Sequence, residues 1–213
     1  MLKILNQNKV FVIPYIIILS GAIALMILFS KADIHIFINS HNNVFLDIFF
    51  KIFTFFGDGI FIVIASVLLL FKRINYGACS LGIYLGSGIL VQLFKKLILP
   101  DAPRPSAYLK NIYDLHFIEG IKMYSSQSFP SGHTASAFGL FFLLAIVSKN
   151  HLVKVLCLIA ALLIGYSRMY LSLHFLLDVT VGSFIGVIST VIIFYYFEKI
   201  KHPSFNKPLF IKK

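Results

Sequence analysis

The sequence predicts an all-α polytopic membrane protein with six transmembrane helices, an interfacial helix ahead of the second span, and a long outer loop between the third and fourth. Three observations predict it. Hydrophobic residues make up 59% of the 213-residue chain, 23 residues are Phe and mean hydropathy is +0.90, which is more apolar surface than a soluble core of this size buries. Apolar runs close to the ~20 residues that cross a bilayer recur six times along the chain. Basic residues gather at alternate ends of those runs, as orientation in a membrane requires.

The first span is predicted over about residues 11–29, and no small-residue cleavage site of the A-x-A kind follows it, so it reads as a retained span and not as a removed signal peptide. Residues 43–56 (NVFLDIFFKIFTFF) set Asp47 and Lys51 among many aromatic residues, a composition suited to a helix lying in the interface. Those two charges stand four apart, acid first, a spacing that also allows them to pair along one helical face. The alternative is that this stretch forms the first turns of a longer, tilted second span. The second span, about 57–71, is short and opens on Gly57-Asp58-Gly59; the third follows at about 75–94. The connection over about 95–131 contains Pro100, Pro103, Pro105 and Pro130 and has little helical periodicity. Ordered loops of that length usually carry function. The remaining spans are predicted at about 132–148, 152–168 and 177–197. Cys79 and Cys157 both fall inside apolar runs, which predicts no disulfide framework. No repeat or second domain is evident, and residues 1–213 read as one membrane-embedded domain.

The net charge of +11 raises nucleic acid as a partner, but no soluble basic domain or one-faced Lys/Arg cluster exists to bind it. Charge orients the chain instead. With both termini cytoplasmic, that side holds Lys3, Lys9, Lys72, Arg73, Lys149, Lys154, Lys199, Lys201, Lys207, Lys212 and Lys213 against a single acid, Glu198, while the outer side is nearly balanced. This is a strong positive-inside asymmetry. It expects a multi-pass membrane protein with both termini cytoplasmic.

Three polar islands interrupt the apolar chain, and the predicted topology puts all of them on the outer face. The first is Lys96 with Arg104-Pro105; the second is Pro130-Ser131-Gly132-His133; the third is Ser167-Arg168 followed by His174 and Asp178. His174 and Asp178 are four apart, so on a helix a carboxylate can hold one imidazole nitrogen and leave the other free to attack or to take a proton. Arg168 ends the fifth span, where an arginine is costly unless it is paired or lines a polar cavity. Pro130 to His133 reads as a helix opening whose unpaired N–H groups form a phosphate cradle. Arg104, between two prolines, is held extended and offers a guanidinium fork, with Lys96 as a second, point-like cation. Each island alone has a structural reading, as a cap, a headgroup anchor or a helix end. Together they supply what binding and cleaving a phosphate ester requires.

At these residues the chain resembles the type 2 phosphatidic acid phosphatase family, related to the vanadium-dependent haloperoxidases. The family pattern is a lysine and an Arg-Pro pair, then PSGH, then SR-x5-H-x3-D. The second and third elements match in full, and the resemblance spans about residues 40–197. The first departs: the family commonly has six residues between lysine and arginine, whereas seven separate Lys96 from Arg104 and Leu97 occupies the expected place, with Lys95 the fallback. The resemblance implies that His174 is the nucleophile forming a phosphohistidine, that Asp178 orients it, and that His133 is the general acid. It implies that Lys96, Arg104, Ser131, Gly132 and Arg168 hold the phosphoryl oxygens. It implies no cofactor, and the His, Asp and Cys spacings encode no convincing metal-ligand set. His35, His41, His116, His151 and His202 receive no role. The expected partner is a phosphorylated lipid in the bilayer: a lipid A phosphate, undecaprenyl pyrophosphate, phosphatidylglycerol phosphate or phosphatidic acid. A lipid phosphotransferase using the same site and a non-catalytic phospholipid-binding or transport protein are the alternatives.

Overall fold

The computed structural model describes residues 1–200 and 203–209, so Lys201, His202, Lys212 and Lys213, counted or considered above, lie outside the described residues. The described residues are helical with no strand. A short α1 (Leu2–Gln7) leads into α2 (Lys9–Leu28), which buries Phe11 and Tyr15, packs Val12 and Leu19 partly against the core and leaves most of its other apolar residues exposed. Then follow α3 (Lys31–Ser40) and α4 (Val44–Phe53), each opened by a side-chain cap: Ser30 Oγ accepts from Asp33 N at 3.1 Å and Asn43 Oδ1 from Leu46 N at 3.0 Å. A 3-10 turn (Thr54–Gly57) precedes α5 (Gly59–Lys72), and the two halves of this unit are bent by 54°.

The helix α6 (Ile74–Leu93) continues into a π-helical turn, Phe94–Ile98, closed by Leu99 N donating to Phe94 O at 2.8 Å. One short helix, α7 (Pro105–Tyr108), interrupts the loop that follows the π-helical turn. The last three helices are α8 (Gly132–Val147), α9 (His151–Tyr170) and α10 (Leu176–Phe197).

Every predicted apolar run is helical, but the runs are not equal as spans. Four helices, Lys9–Leu28, Ile74–Ile98, His151–Tyr170 and Leu176–Phe197, are long and apolar enough to cross a membrane alone; the bent pair Val44–Gly57 and Gly59–Lys72 makes a fifth if counted as one span. The fourth predicted run, α8, has only 16 residues. The Asp47–Lys51 pair that their spacing allows does not form. Lys51 Nζ donates instead to Glu119 O at 2.6 Å, and Asp47 accepts from Tyr170 Oη at 2.6 Å and contacts His116 Nε2 at 2.9 Å. The Asp47 carboxylate is taken up by Tyr170 and His116, and the lysine reaches across to a backbone carbonyl of the loop between α6 and α8.

The fold is organised around α8. Phe138, Leu140, Phe142 and Leu143 are 0–2% exposed, and α6, α9 and α10 pack around them, with Phe11 of α2 stacked on Phe142 at 4.6 Å. Small residues permit the closest approach. A Cβ on Gly182 would lie 2.5 Å from Ser131 O, so glycine there lets the start of α10 meet the start of α8. That contact seats Asp178 beside the PSGH segment, with Ser131 N donating to Asp178 O at 3.0 Å.

Candidate active site

The chain leaves α9 in a tight turn that places the third island. Leu173 N and His174 N both donate to Arg168 O, at 3.0 and 3.1 Å, and Ser172 takes a left-handed φ of 54° to make the turn. His174 is 3% exposed, with Nδ1 3.3 Å from Asp178 Oδ2. The same carboxylate oxygen accepts from Phe175 N at 2.9 Å and from Ser128 Oγ. A carboxylate facing Nδ1 places the ring proton there and leaves the Nε2 lone pair free. Burial lowers the His174 pKa to about 4 against the opposing pull of Asp178, so the imidazole is neutral, and nucleophilic, at neutral pH.

Three buried cations converge on this turn. Arg104, 9% exposed, donates from Nε to Ser126 O at 3.0 Å and from Nη1 to Leu173 O at 3.0 Å, with its guanidinium 5.1 Å from the centre of the Tyr124 ring. Burial lowers the Arg104 pKa while Asp178 opposes the shift, the condition of a cation short of anionic partners. Arg168 donates from Nη1 to Thr54 Oγ1 at 2.7 Å, and its buried Nε has no hydrogen-bond partner among the described residues. Lys95, 9% exposed, donates to Gln127 O at 2.6 Å. Lys96 lines the same cavity, but its residue is exposed and it makes no hydrogen bond among the described residues. The π-turn is the physical form of the irregular spacing: a wide turn accommodates extra chain within a helix and changes which lysine faces inward.

The second island is split between structure and site. Ser131 is fully buried, its Oγ accepting from Thr134 N at 3.4 Å and Thr134 Oγ1 at 2.9 Å, so it caps α8 and does not reach the cavity surface. Gly132 and His133 do line the cavity, and as the first residues of α8 their N–H groups have no intrahelical acceptor. The cavity measures about 1260 Å³, and its polar end gathers Lys95, Arg104, Gly132, His133, Arg168 and His174. Its apolar wall runs along α5 and α6 through Ile60, Val63, Leu85 and Ile89.

Sequence reading missed Thr54, Asp58 and Ser128. Thr54 and Asp58 sit in the turn between α4 and α5, where Thr54 holds Arg168 and Asp58 Oδ2 lies 3.5 Å from His133 Nε2. Their one sequence signal is polarity at Gly57-Asp58-Gly59 in an apolar stretch. Ser128 precedes the PSGH segment in a serine-containing loop and carried no signal. The site offers a neutral imidazole with a free nitrogen, a second imidazole near it, three cations and a helix N-terminus facing one pocket. A bound phosphoryl group would meet all of these.

Known proteins resemble this chain in family and in fold. The model of the PAP2 superfamily matches residues 76–202. Among curated proteins, the bacitracin transport permease protein BcrC of Bacillus licheniformis is 33% identical over 97 residues, 46% of this chain and 44% of that protein. The lipid A 4'-phosphatase of Bacteroides thetaiotaomicron is 32% identical over 83 residues, 39% of this chain and 37% of that one. The chain thus spans under half the length of these curated relatives. Among solved structures, Aquifex aeolicus LpxE is 31% identical with a TM-score of 0.67, covering 77% of this chain and 94% of that one. The PAP2-type phosphatidylglycerolphosphate phosphatase of Bacillus subtilis shares the fold at 21% identity and a TM-score of 0.65, covering 92% and 98%.

Proposed function

We propose, because this chain belongs to the PAP2 superfamily, that it is a membrane lipid phosphatase acting through a phosphohistidine. The observation that carries the reading is His174: its Nδ1 faces Asp178 at 3.3 Å while the ring borders a cavity walled by three buried cations. In the first step His174 Nε2 attacks phosphorus, the bond to the leaving oxygen breaks, and His133 gives that oxygen a proton. In the second, His133 takes a proton from water as the water oxygen displaces His174 Nε2 from phosphorus, releasing inorganic phosphate. Lys95, Arg104, Arg168 and the Gly132 and His133 N–H groups stabilise the phosphoryl oxygens throughout, which is where phosphoryl transfer gains most of its rate. Lys95 takes the role expected of Lys96, because it is the buried lysine of the two.

The substrate is a lipid phosphate monoester or pyrophosphate, with its tail along the apolar wall and its headgroup at the polar end. Six spans, cytoplasmic termini and a site on the outer face of a bacterial inner membrane complete the proposal, supported by the alternation of basic residues. Phosphate release by the purified protein in detergent, measured on lipid A, undecaprenyl pyrophosphate, phosphatidylglycerol phosphate and phosphatidic acid, tests it. Release from at least one lipid, abolished in His174→Ala, is expected; release from none, or an unchanged His174→Ala, sinks it. Transfer of phosphate to an added acceptor lipid instead of water identifies a phosphotransferase. Simple headgroup binding does not require the second histidine or Asp178, which weighs against a transport protein.

A further inference from the structure

The turn joining α4 to α5 presents a carboxylate to the site that no step above employs. Asp58 lies between two wedged glycines. A Cβ on Gly57 would fall 2.6 Å from Ile164 Cγ2 and 3.1 Å from His133 O, and one on Gly59 would collide with the Tyr84 hydroxyl. Only glycine lets this backbone come so close to the first turn of α8. Asp58 then divides its two oxygens. Oδ1 accepts from Ile60 N at 2.9 Å and caps α5, while Oδ2 faces His133 Nε2 at 3.5 Å. Both residues line the cavity, and their side chains are 33% (His133) and 39% (Asp58) exposed.

We propose that Asp58 is a positioning residue for the reaction, turning the His133 ring toward the leaving oxygen and offsetting the surrounding cations when the ring carries the proton it delivers. The inference rests on the phosphatase reading of the site. The other ionisable groups that face His133 are Arg168 of α9, His174 of the following turn, Arg104 of the outer loop and Lys95 of the π-turn. All of them are cationic or neutral. Asp58 is the carboxylate within 4 Å of His133 among the described residues, so it supplies the charge that an imidazolium needs among those cations. It keeps its own charge throughout: the proton passes from His133 to the leaving oxygen as the P–O bond breaks, and returns to His133 from the water that attacks the phosphohistidine. Catalytic contacts of this kind often tighten as substrate binds, which brings the 3.5 Å separation within hydrogen-bond reach.

Asp58→Asn tests the inference, because asparagine caps a helix as well as aspartate does and removes only the charge. Wild type and variant are compared on dioctanoyl phosphatidic acid, whose alkoxide leaving group needs a proton, and on p-nitrophenyl phosphate, whose phenolate needs little help. The expected result is a fall in kcat/KM, which covers the steps through departure of the leaving group, of about 10- to 100-fold on the lipid and under about 3-fold on the aryl ester. The alkaline limb of the lipid pH–rate profile also moves down by about one pH unit. Equal losses on both substrates with an unmoved profile, or no loss on either, overturn the proposal. Asp58→Ser, a second neutral cap, gives the same readouts should the asparagine variant fail to fold. A wild-type protein that releases no phosphate from either substrate defeats the phosphatase reading itself, whereas an active wild type matched by both variants defeats only the role of Asp58.

Discussion

His174–Asp178 and His133–Asp58 are one pair of residue types in two settings. The first is sealed: His174 is 3% exposed, the contact is 3.3 Å, and Asp178 is further held by Phe175 N and Ser128 Oγ. The second is open to the cavity, at 3.5 Å, with about a third of each side chain accessible and, among the described residues, no further partner on the Asp58 oxygen that faces the ring. A nucleophile needs one fixed tautomer and a lone pair on a single line, which a rigid, desolvated pair supplies. A group that gives up a proton and then takes one back needs access to the leaving group and to water, and a looser pair beside solvent permits both. The difference in burial thus predicts a difference in chemical role.

The sharpest way to break this assignment is to remove each histidine and vary the leaving group. His174→Ala is expected to lower phosphate release by at least about 10⁴-fold on every substrate, because no other group in the site forms the bond to phosphorus. His133→Ala is expected to lose about 10²- to 10⁴-fold in kcat/KM on a lipid phosphate and to recover most of that in kcat/KM on p-nitrophenyl phosphate, because this ratio covers only the steps through departure of the leaving group. It also retains an acid-labile phosphate on the protein after a rapid quench with that substrate. Recovery in His174→Ala and none in His133→Ala would exchange the two roles.

The two pairs also differ in how far the sequence reveals them. His174 and Asp178 are four residues apart at the start of a helix, so local geometry alone brings them together. His133 and Asp58 are brought together by tertiary packing, through the bend between α4 and α5 and the glycines that let it touch α8. A single sequence shows periodicity and spacing along the chain but not which turn closes against which helix. Thr54 was hidden for the same reason, as its partner is Arg168 of α9. The apolar runs were legible as helices throughout. What hydropathy did not convey is that α8 has 16 residues because it is a core element, enclosed by other helices more than by lipid.

Lys95 and Lys96 give the next test, since both line the cavity that the pairs share. Adjacent helical residues point about 100° apart, so only one can face a given wall. Lys95 is buried against Gln127 O and Lys96 is exposed. Lys95→Ala is expected to lower kcat/KM by about 10²-fold, the cost of one fixed cation on the transferring phosphoryl group. Lys96→Ala is expected to lower it by less than about tenfold, as for a charge still reachable by water. The reverse order would return the first-motif role to Lys96 and mean that the π-turn unwinds when substrate binds.

The smallest expected effect separates the sealed pair from the rest of the fold by its acid sensitivity. Burial holds the His174 pKa at about 4, and likewise that of His35, which is 1% exposed and contacts Ser172 Oγ through Nε2 at 3.1 Å. An unfolded histidine titrates near 6.5. Between those values the unfolded chain binds protons that the folded chain refuses, so stability falls as pH drops from about 6.5 to about 4 and these groups contribute nothing further below that. The ceiling is on the order of 3 kcal/mol per histidine, reduced by any relaxation that lets water reach the ring. Thermal midpoints in detergent between pH 7 and pH 4 measure it. His174→Ala removes one of the two contributions and is expected to show a visibly shallower decline than wild type, although it has lost the hydrogen bond to Asp178 at every pH. A decline of unchanged slope would mean that His174 is hydrated in the folded protein. The contrast between a sealed nucleophile and an open acid would then rest on geometry alone.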